Sequence, residues 1–105
     1  MEKIILENCV GFDWDKANIE KNQTKHGVSH LECEQIFFNR PLLINEDKHH
    51  SNCEERHYAL GRTDHGRKLF VAFTVRMQLL RVISARDMSK KERGFYEKIK
   101  ENTSI

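Results

Sequence analysis

Hydrophobic and polar positions follow two different periods along this chain, and the change of period divides it into helical and strand-forming parts. Residues 1–13 have the pattern of a short strand or an extended lead-in. Between that segment and residue 40 the apolar positions recur at helical spacing, as they do at Cys33, Ile36 and Phe37. From residue 42 they alternate, most clearly over residues 69–75. This order predicts helices first, then strands.

Residue types that begin and end helices mark out two helices in the first part. A helix is predicted from about Asp15 to Lys25, with Gly27 placed to end it in a left-handed conformation. Ser29 and Glu32 have the spacing of a capping box, in which each side chain bonds the backbone of the other. They predict the start of a second helix, which Pro41 prevents from continuing.

The second part of the chain predicts a small sheet followed by one more helix. Ser89 and Glu92 form another capping box, and Phe95 and Ile99 have the spacing of a buried helix face. We therefore predict one α+β domain over residues 1–105, an antiparallel four-stranded sheet with two N-terminal helices and one C-terminal helix packed on one of its faces. The four predicted strands cover residues 42–44, 57–62, 69–75 and 79–85.

The segment between the last two strands makes a specific prediction about arginines. If residues 77–78 form a two-residue turn, Arg76 pairs with Leu79 and Thr74 pairs with Arg81, which places both arginines on one face. Neither Met77 nor Gln78 favours a positive φ angle, so a longer or bulged loop stays open as an alternative.

Charge is distributed unevenly along the sequence. The chain of 105 residues has a net charge of +2, but residues 1–55 carry −5 and residues 56–93 carry +7. A basic segment suits a surface that binds a polyanion, although basic residues on strands also keep proteins soluble. The absence of a long apolar run or signal-peptide pattern predicts a cytoplasmic protein, and three cysteines without a CxxC pair predict reduced thiols.

Five short motifs, in this order, resemble the BrnT family of type II toxins. The resemblance implies a RelE-like fold and a ribonuclease that inhibits translation. It also implies neutralisation by a BrnA-like antitoxin, whose ribbon-helix-helix part binds operator DNA. The motifs are Phe12-Asp13-Trp14-Asp15-Lys16, Lys25-His26-Gly27-Val28-Ser29, Phe73-Thr74-Val75-Arg76, Arg81-Val82-Ile83-Ser84-Ala85-Arg86 and Glu92-Arg93 with Tyr96.

Within that interpretation the candidate catalytic residues follow from the chemistry of RNA cleavage without a metal or cofactor. The reaction needs a base for the 2′-hydroxyl, cations for the phosphoryl transition state and an acid for the leaving oxygen. Arg76 and Arg81 are the first candidates for the cations because a guanidinium bonds two phosphate oxygens and stays charged. Arg56 and Arg86 come next, although strict alternation puts Arg86 opposite Arg81 unless a bulge intervenes. Candidates for proton transfer are Lys25, His26, His57 and Tyr96.

Two other classes of function remain open from the sequence. His49, His50, Cys53 and His57 have side chains of the kind that bind zinc, but their spacing fits no recognised zinc motif. Alternatively, the chain is a non-catalytic module whose basic sheet face binds nucleic acid or protein. In that case its arginines contribute affinity and salt dependence rather than turnover.

Overall fold

The structure, a computed structural model, describes residue 6, residues 9–47 and residues 55–103, with side chains described as far as residue 99. Within these residues it contains three helices and five strands. The three helices and the four strands predicted from the sequence are all present. In chain order the elements are β1 (Gly11–Phe12), α1 (Lys16–His26), α2 (His30–Ile36), β2 (Leu43–Glu46), β3 (His57–Arg62), β4 (Lys68–Arg76), β5 (Leu79–Asp87) and α3 (Lys90–Thr103).

The sheet is mixed and has the strand order β1-β5-β4-β3-β2. The prediction of four antiparallel strands is wrong in this detail, because β1 adds a fifth strand parallel to β5. Two backbone hydrogen bonds on either side of β1 join it to the outer edge of β5. Val10 N donates to Gln78 O (2.8 Å), and Asp13 N donates to Leu80 O (2.9 Å). The lead-in segment thereby covers part of an edge that would otherwise be unpaired.

Beyond β1, helix α1 covers the rest of that edge with side chains. Lys21 Nζ donates to Ile83 O over 3.0 Å, and Asn22 Oδ1 accepts from Ala85 N over 3.3 Å. Asn22 is almost completely buried in this contact. These bonds fix α1 along β5 and leave little of its edge available to another chain.

The helices pack on both faces of the sheet, and the prediction that they share one face is wrong. Helices α1 and α2 cover the core face, where Val71, Phe73 and Val82 are fully buried. Helix α3 packs on the opposite face, here called the α3 face, where Tyr96 and Leu60 form a second buried cluster. That cluster also includes Met88, Leu43 and Phe70.

The residue of α3 that faces the sheet is the one directly after the predicted residue. Phe95, predicted to face the core, is 54% exposed, whereas Tyr96 is fully buried and Ile99 is partly buried. Consecutive helix residues point about 100° apart, so Phe95 and Tyr96 cannot both face the sheet. Tyr96 is buried in place of Phe95, because the Tyr96 hydroxyl finds a hydrogen-bond acceptor.

The predicted helix boundaries are confirmed by their capping bonds. Gly27 ends α1 in the left-handed region at φ 64°. Both capping boxes are present, with Ser29 Oγ accepting from Glu32 N (3.1 Å) and Ser89 Oγ accepting from Glu92 N (3.2 Å). In each box the glutamate accepts in return from the serine backbone N–H. Each of these bonds joins residues close together in the chain, so local sequence is enough to predict where the helices begin and end.

Candidate nucleic-acid interface

The β4–β5 hairpin has the register predicted from a two-residue turn. Residues 77 and 78 both have positive φ angles, 54° and 65°, as a tight hairpin turn requires. Arg76 pairs with Leu79 and Thr74 pairs with Arg81. Because paired residues share a face, both arginine side chains lie on the α3 face, at the hairpin end of the sheet.

A bulge brings a third arginine to the same face. The pairing of β4 with β5 shifts register between Ala72 and Phe73, which adds one residue to β5. After the shift Arg86 pairs with Phe70, whose side chain also lies on the α3 face. Strict alternation would have placed Arg86 opposite Arg81, so the bulge is what puts the two on one face.

Arg81 is held at the edge of β5 by two carboxylates. Its Nη2 lies 3.1 Å from Asp15 Oδ2, and its Nη1 lies 3.5 Å from Asp13 Oδ2. Asp15 also caps α1 by accepting from Asn18 N over 2.7 Å. The guanidinium is therefore positioned by groups that are themselves fixed, and the two carboxylates offset part of its charge.

Arg56 and Arg76 emerge at the same end of the sheet as Arg81. Arg76 is exposed at the last position of β4, and Arg56 directly precedes β3. Thr74 Oγ1 donates to Glu55 O over 2.7 Å, which holds this segment against β4. The three arginines thus lie at the hairpin end of three neighbouring strands, two of them on β4 and β5 and one just before β3, an arrangement suited to a phosphodiester.

A row of flat side chains that the sequence did not predict crosses the α3 face. The rings of Tyr58 and Phe70 are stacked, with centroids 5.3 Å apart and planes 19° apart. On the other side the guanidinium carbon of Arg86 lies 4.1 Å from the centroid of Phe70. The available signal was the presence of aromatic residues at strand positions that alternate with the core.

Comparison with known proteins assigns the chain to a family. The model of the family described as "Ribonuclease toxin, BrnT, of type II toxin-antitoxin system" matches residues 14–92, which is most of the chain. The chain belongs to the BrnT family. No curated protein matches it. The family assignment confirms the resemblance carried by the five sequence motifs.

In this BrnT-family chain two of the predicted proton-transfer residues, Lys25 and His26, lie in the last turn of α1. Lys25 is exposed on the last turn of α1, while Arg81 contacts the residue before its first turn. An 11-residue helix spans about 16 Å, so the structure does not bring Lys25 to the arginines. Its neighbour His26 is also exposed, and its backbone carbonyl accepts from Arg67 Nη2 over 3.3 Å.

The structure gives Tyr96 a packing role that conflicts with its prediction as a catalytic residue. The residue is fully buried, and its hydroxyl donates to Pro41 O over 2.7 Å. Burial also raises the pKa of this phenol. His57 is nearly as buried, with its ring 5.5 Å from that of Phe73 on the core face. Neither ring is placed to exchange a proton with a substrate on the exposed surface.

Of the four predicted zinc ligands, only His57 lies in the part of the chain that the structure describes. In that part no group of three or more His, Cys, Asp or Glu side chains is arranged to hold a metal ion. His49, His50 and Cys53 lie outside the described residues, so the predicted set stays untested. Burial raises the pKa of Cys33 to about 12, which keeps this thiol protonated.

Of the helices described here, none is long and apolar enough to span a bilayer.

Proposed function

We propose that this BrnT-family chain is a metal-independent endoribonuclease that acts in the cytoplasm and inhibits translation. We also propose a BrnA-like ribbon-helix-helix antitoxin as the partner that neutralises it. The ribonuclease assignment is supported by the family match over residues 14–92. The observation that supports the proposed site is the register, which puts Arg56, Arg76 and Arg81 at the same end of three adjacent strands.

In the proposed reaction the 2′-oxygen of the substrate attacks the adjacent phosphorus while the bond from phosphorus to the 5′-oxygen breaks. The 2′-hydroxyl gives its proton to a base, and the leaving 5′-oxygen receives a proton from an acid. Arg76 and Arg81 bond the non-bridging oxygens as negative charge builds up on the phosphoryl group, and Arg56 supports them. Lys25 and Tyr96 are not retained in this set, because one lies at the far end of α1 and the other is buried.

The test is cleavage of labelled RNA by purified protein in excess chelator, with and without ribosomes. The Arg76→Ala, Arg81→Ala variant is compared with a Lys90→Ala, Lys91→Ala variant, which loses the same charge at the far end of the sheet. We expect the arginine variant to cleave at least about 100-fold more slowly and the lysine variant to resemble the native chain. Thermal unfolding verifies that each variant is folded.

Several outcomes would overturn the proposal. An equal loss in both variants would show that only net charge matters. Cleavage that requires a divalent metal would contradict the metal-independent mechanism. Intact RNA with every variant, accompanied by binding that depends on the arginines, would favour a non-catalytic nucleic-acid-binding module.

The antitoxin is tested in cells. Expression of the chain alone should arrest growth, and co-expression of a neighbouring ribbon-helix-helix protein should restore it. The Arg76→Ala, Arg81→Ala variant should be harmless but should still form the complex. Failure of the native chain to arrest growth, at an expression level matched to the variant, would count against a toxin.

A further inference from the structure

The row formed by Tyr58, Phe70 and Arg86 has no role in the phosphoryl chemistry above, yet it lies on the same face of the sheet. Its members come from β3, β4 and β5; Arg76 lies on β4, Arg81 on β5, and Arg56 directly precedes β3. All three side chains of the row remain partly exposed. The row therefore presents flat groups at the surface, unlike the Tyr96 cluster beside it, which is buried.

Arg86 is held in place as a planar group. Its Nη1 and Nη2 donate to the two carboxylate oxygens of Glu92 over 2.8 and 3.0 Å, and Nη1 also donates to Asp87 O. These hydrogen bonds to protein acceptors occupy much of the donor capacity of the Arg86 guanidinium. Arg86 thus resembles a fixed support for the Phe70 ring more than a phosphate ligand.

The Tyr58 end of the row is the end at which a further ring can stack. Phe70 has Tyr58 on one side and Arg86 on the other, so its faces are occupied. Tyr58 pairs on its outer side with Asn45 of β2, a small and exposed residue. A flat ligand placed there would continue the stack, and the Asn45 amide could bond its polar edge.

The position of Tyr58 relative to the arginines indicates what that ligand is. Tyr58 lies two residues from Arg56 along the chain and pairs with Ala72, four residues from Arg76. At about 3.3 Å per residue the arginines lie roughly 7 and 13 Å away along the strands. An aromatic surface at this distance from cations matches a single-stranded nucleic acid, whose bases stack while its phosphates pair.

We propose that Tyr58, supported by Phe70 and Arg86, stacks a base of single-stranded RNA next to the phosphate held by the arginines. The inference rests on the proposed function in taking RNA as the substrate. Tyr58 is a positioning residue in this proposal and takes no part in proton transfer.

The test measures binding separately from cleavage. A labelled 2′-O-methyl oligonucleotide lacks the attacking hydroxyl, so its dissociation constant can be determined without turnover. We compare the native chain with Tyr58→Phe, Tyr58→Leu and Tyr58→Ala, and repeat each titration with an abasic oligonucleotide of the same length. Tyr58→Phe keeps the ring, whereas Tyr58→Leu keeps apolar bulk without a flat surface.

We expect the leucine and alanine variants to bind the base-containing oligonucleotide about tenfold more weakly and the phenylalanine variant to bind nearly as the native chain does. On the abasic oligonucleotide all four proteins should bind alike. Native-like binding by Tyr58→Leu, or an equal loss on the abasic strand, would overturn the inference. Stacking without any RNA cleavage would instead overturn the proposed function alone, and cleavage that is independent of Tyr58 would overturn only this inference.

Discussion

Arg67 Nε donates to Asp87 Oδ1 over 2.7 Å while its Nη2 donates to Asp87 Oδ2 over 3.1 Å. The same guanidinium bonds Glu32 at the start of α2 and the backbone carbonyls of His26 and Gly27. One side chain from the β3–β4 connection thereby joins the end of β5 to the α1–α2 turn. These bonds raise the pKa of Arg67, so its charge is constant at any ordinary pH.

Replacing Arg67 should destabilise the fold, because several acceptors lose their donor together. We expect Arg67→Ala to lower the free energy of unfolding by about 1–3 kcal/mol, with Arg67→Lys intermediate since it keeps charge without the planar fork. Urea denaturation of both variants measures the effect. Lys91→Ala, which removes an exposed charge from α3, is the control and should change stability by less than about 0.5 kcal/mol. An Arg67→Ala protein as stable as this control would show that the network contributes nothing.

Stability should fall at acid pH because three carboxyl groups have lowered pKa values in the fold. Hydrogen bonds from Arg67 lower the pKa of Asp87, and those from Arg86 lower that of Glu92. Burial alone would raise the pKa of Glu32, but its bonds to Ser29 and Arg67 outweigh this effect. For a lowered pKa the stabilisation is complete above the unfolded-state value, about 4 to 4.5, and disappears as pH falls through the folded-state value.

The free energy of unfolding should therefore be level above about pH 5 and should decrease below it. Urea midpoints measured between pH 2.5 and pH 7 give the profile. Arg67→Ala should flatten the acid limb, because Asp87 and Glu32 then titrate closer to their ordinary values. A variant whose acid limb is as steep as that of the native chain would contradict the assigned cause.

The β4–β5 turn can be stabilised by residues that adopt its positive φ angles more readily. Met77 and Gln78 adopt φ angles of 54° and 65°, which side chains other than glycine and asparagine rarely adopt. We expect Met77→Asn with Gln78→Gly to raise the free energy of unfolding by about 0.5–1.5 kcal/mol, since Asn-Gly favours this turn type. Thermal unfolding measures the change. The reversed order, Gly then Asn, provides a comparison, and a loss of stability with Asn-Gly would contradict the turn geometry.

Two glycines should respond in opposite directions to replacement by alanine. A Cβ on Gly61 would lie 2.9 Å from Ile36 Cβ and 3.2 Å from Ile36 O, so β3 and α2 would have to separate. On Gly94, in the exposed middle of α3, a Cβ would meet nothing within 4 Å. We expect Gly61→Ala to cost about 1–3 kcal/mol and Gly94→Ala to gain about 0.5–1 kcal/mol in unfolding free energy. Equal effects in denaturant titrations would rule out the close approach at Gly61.

Features encoded by neighbouring residues were predictable from the sequence. The two capping boxes, the left-handed Gly27 and the register of Arg76 and Arg81 all depend on local chemistry, and each is confirmed. The turn formed although neither of its residues prefers it, because the apolar pairing on both strands determines the register.

Features that depend on distant contacts were not predictable. The sequence predicts a short strand or an extended lead-in over residues 1–13, but the parallel pairing of β1 with the edge of β5 depends on a distant contact. The placement of α3 on the other face depends on Tyr96, whose hydroxyl bonds Pro41, 55 residues away. The face of the sheet on which Arg86 lies depends on a β-bulge, and no residue pattern in the sequence indicates that bulge. Alternation predicted that Arg76 and Arg81 share a face, whereas the burial of Tyr96 depends on tertiary packing.

The carboxylates beside Arg81 make the electrostatics of the candidate site testable. Asp13 and Asp15 offset the charge of the guanidinium, so removing their charge should strengthen its attraction for phosphate. Asparagine suits both positions, since it keeps the shape and remains a good cap for α1 at position 15. We expect Asp13→Asn, Asp15→Asn to tighten binding of a 2′-O-methyl oligonucleotide several-fold at low salt, with a smaller gain at high salt.

A double-mutant cycle separates this local effect from a change in overall charge. In an Arg81→Ala background the two asparagine substitutions should improve binding much less, because the cation they release is absent. Glu20→Gln, Asp64→Asn removes two exposed carboxylates elsewhere and should give little gain in either background. If the asparagine variant binds equally well with and without Arg81, the carboxylates act only through the overall field. In that case Arg81 stabilises the start of α1, and Arg76 and Arg56 are the residues that contact the phosphate.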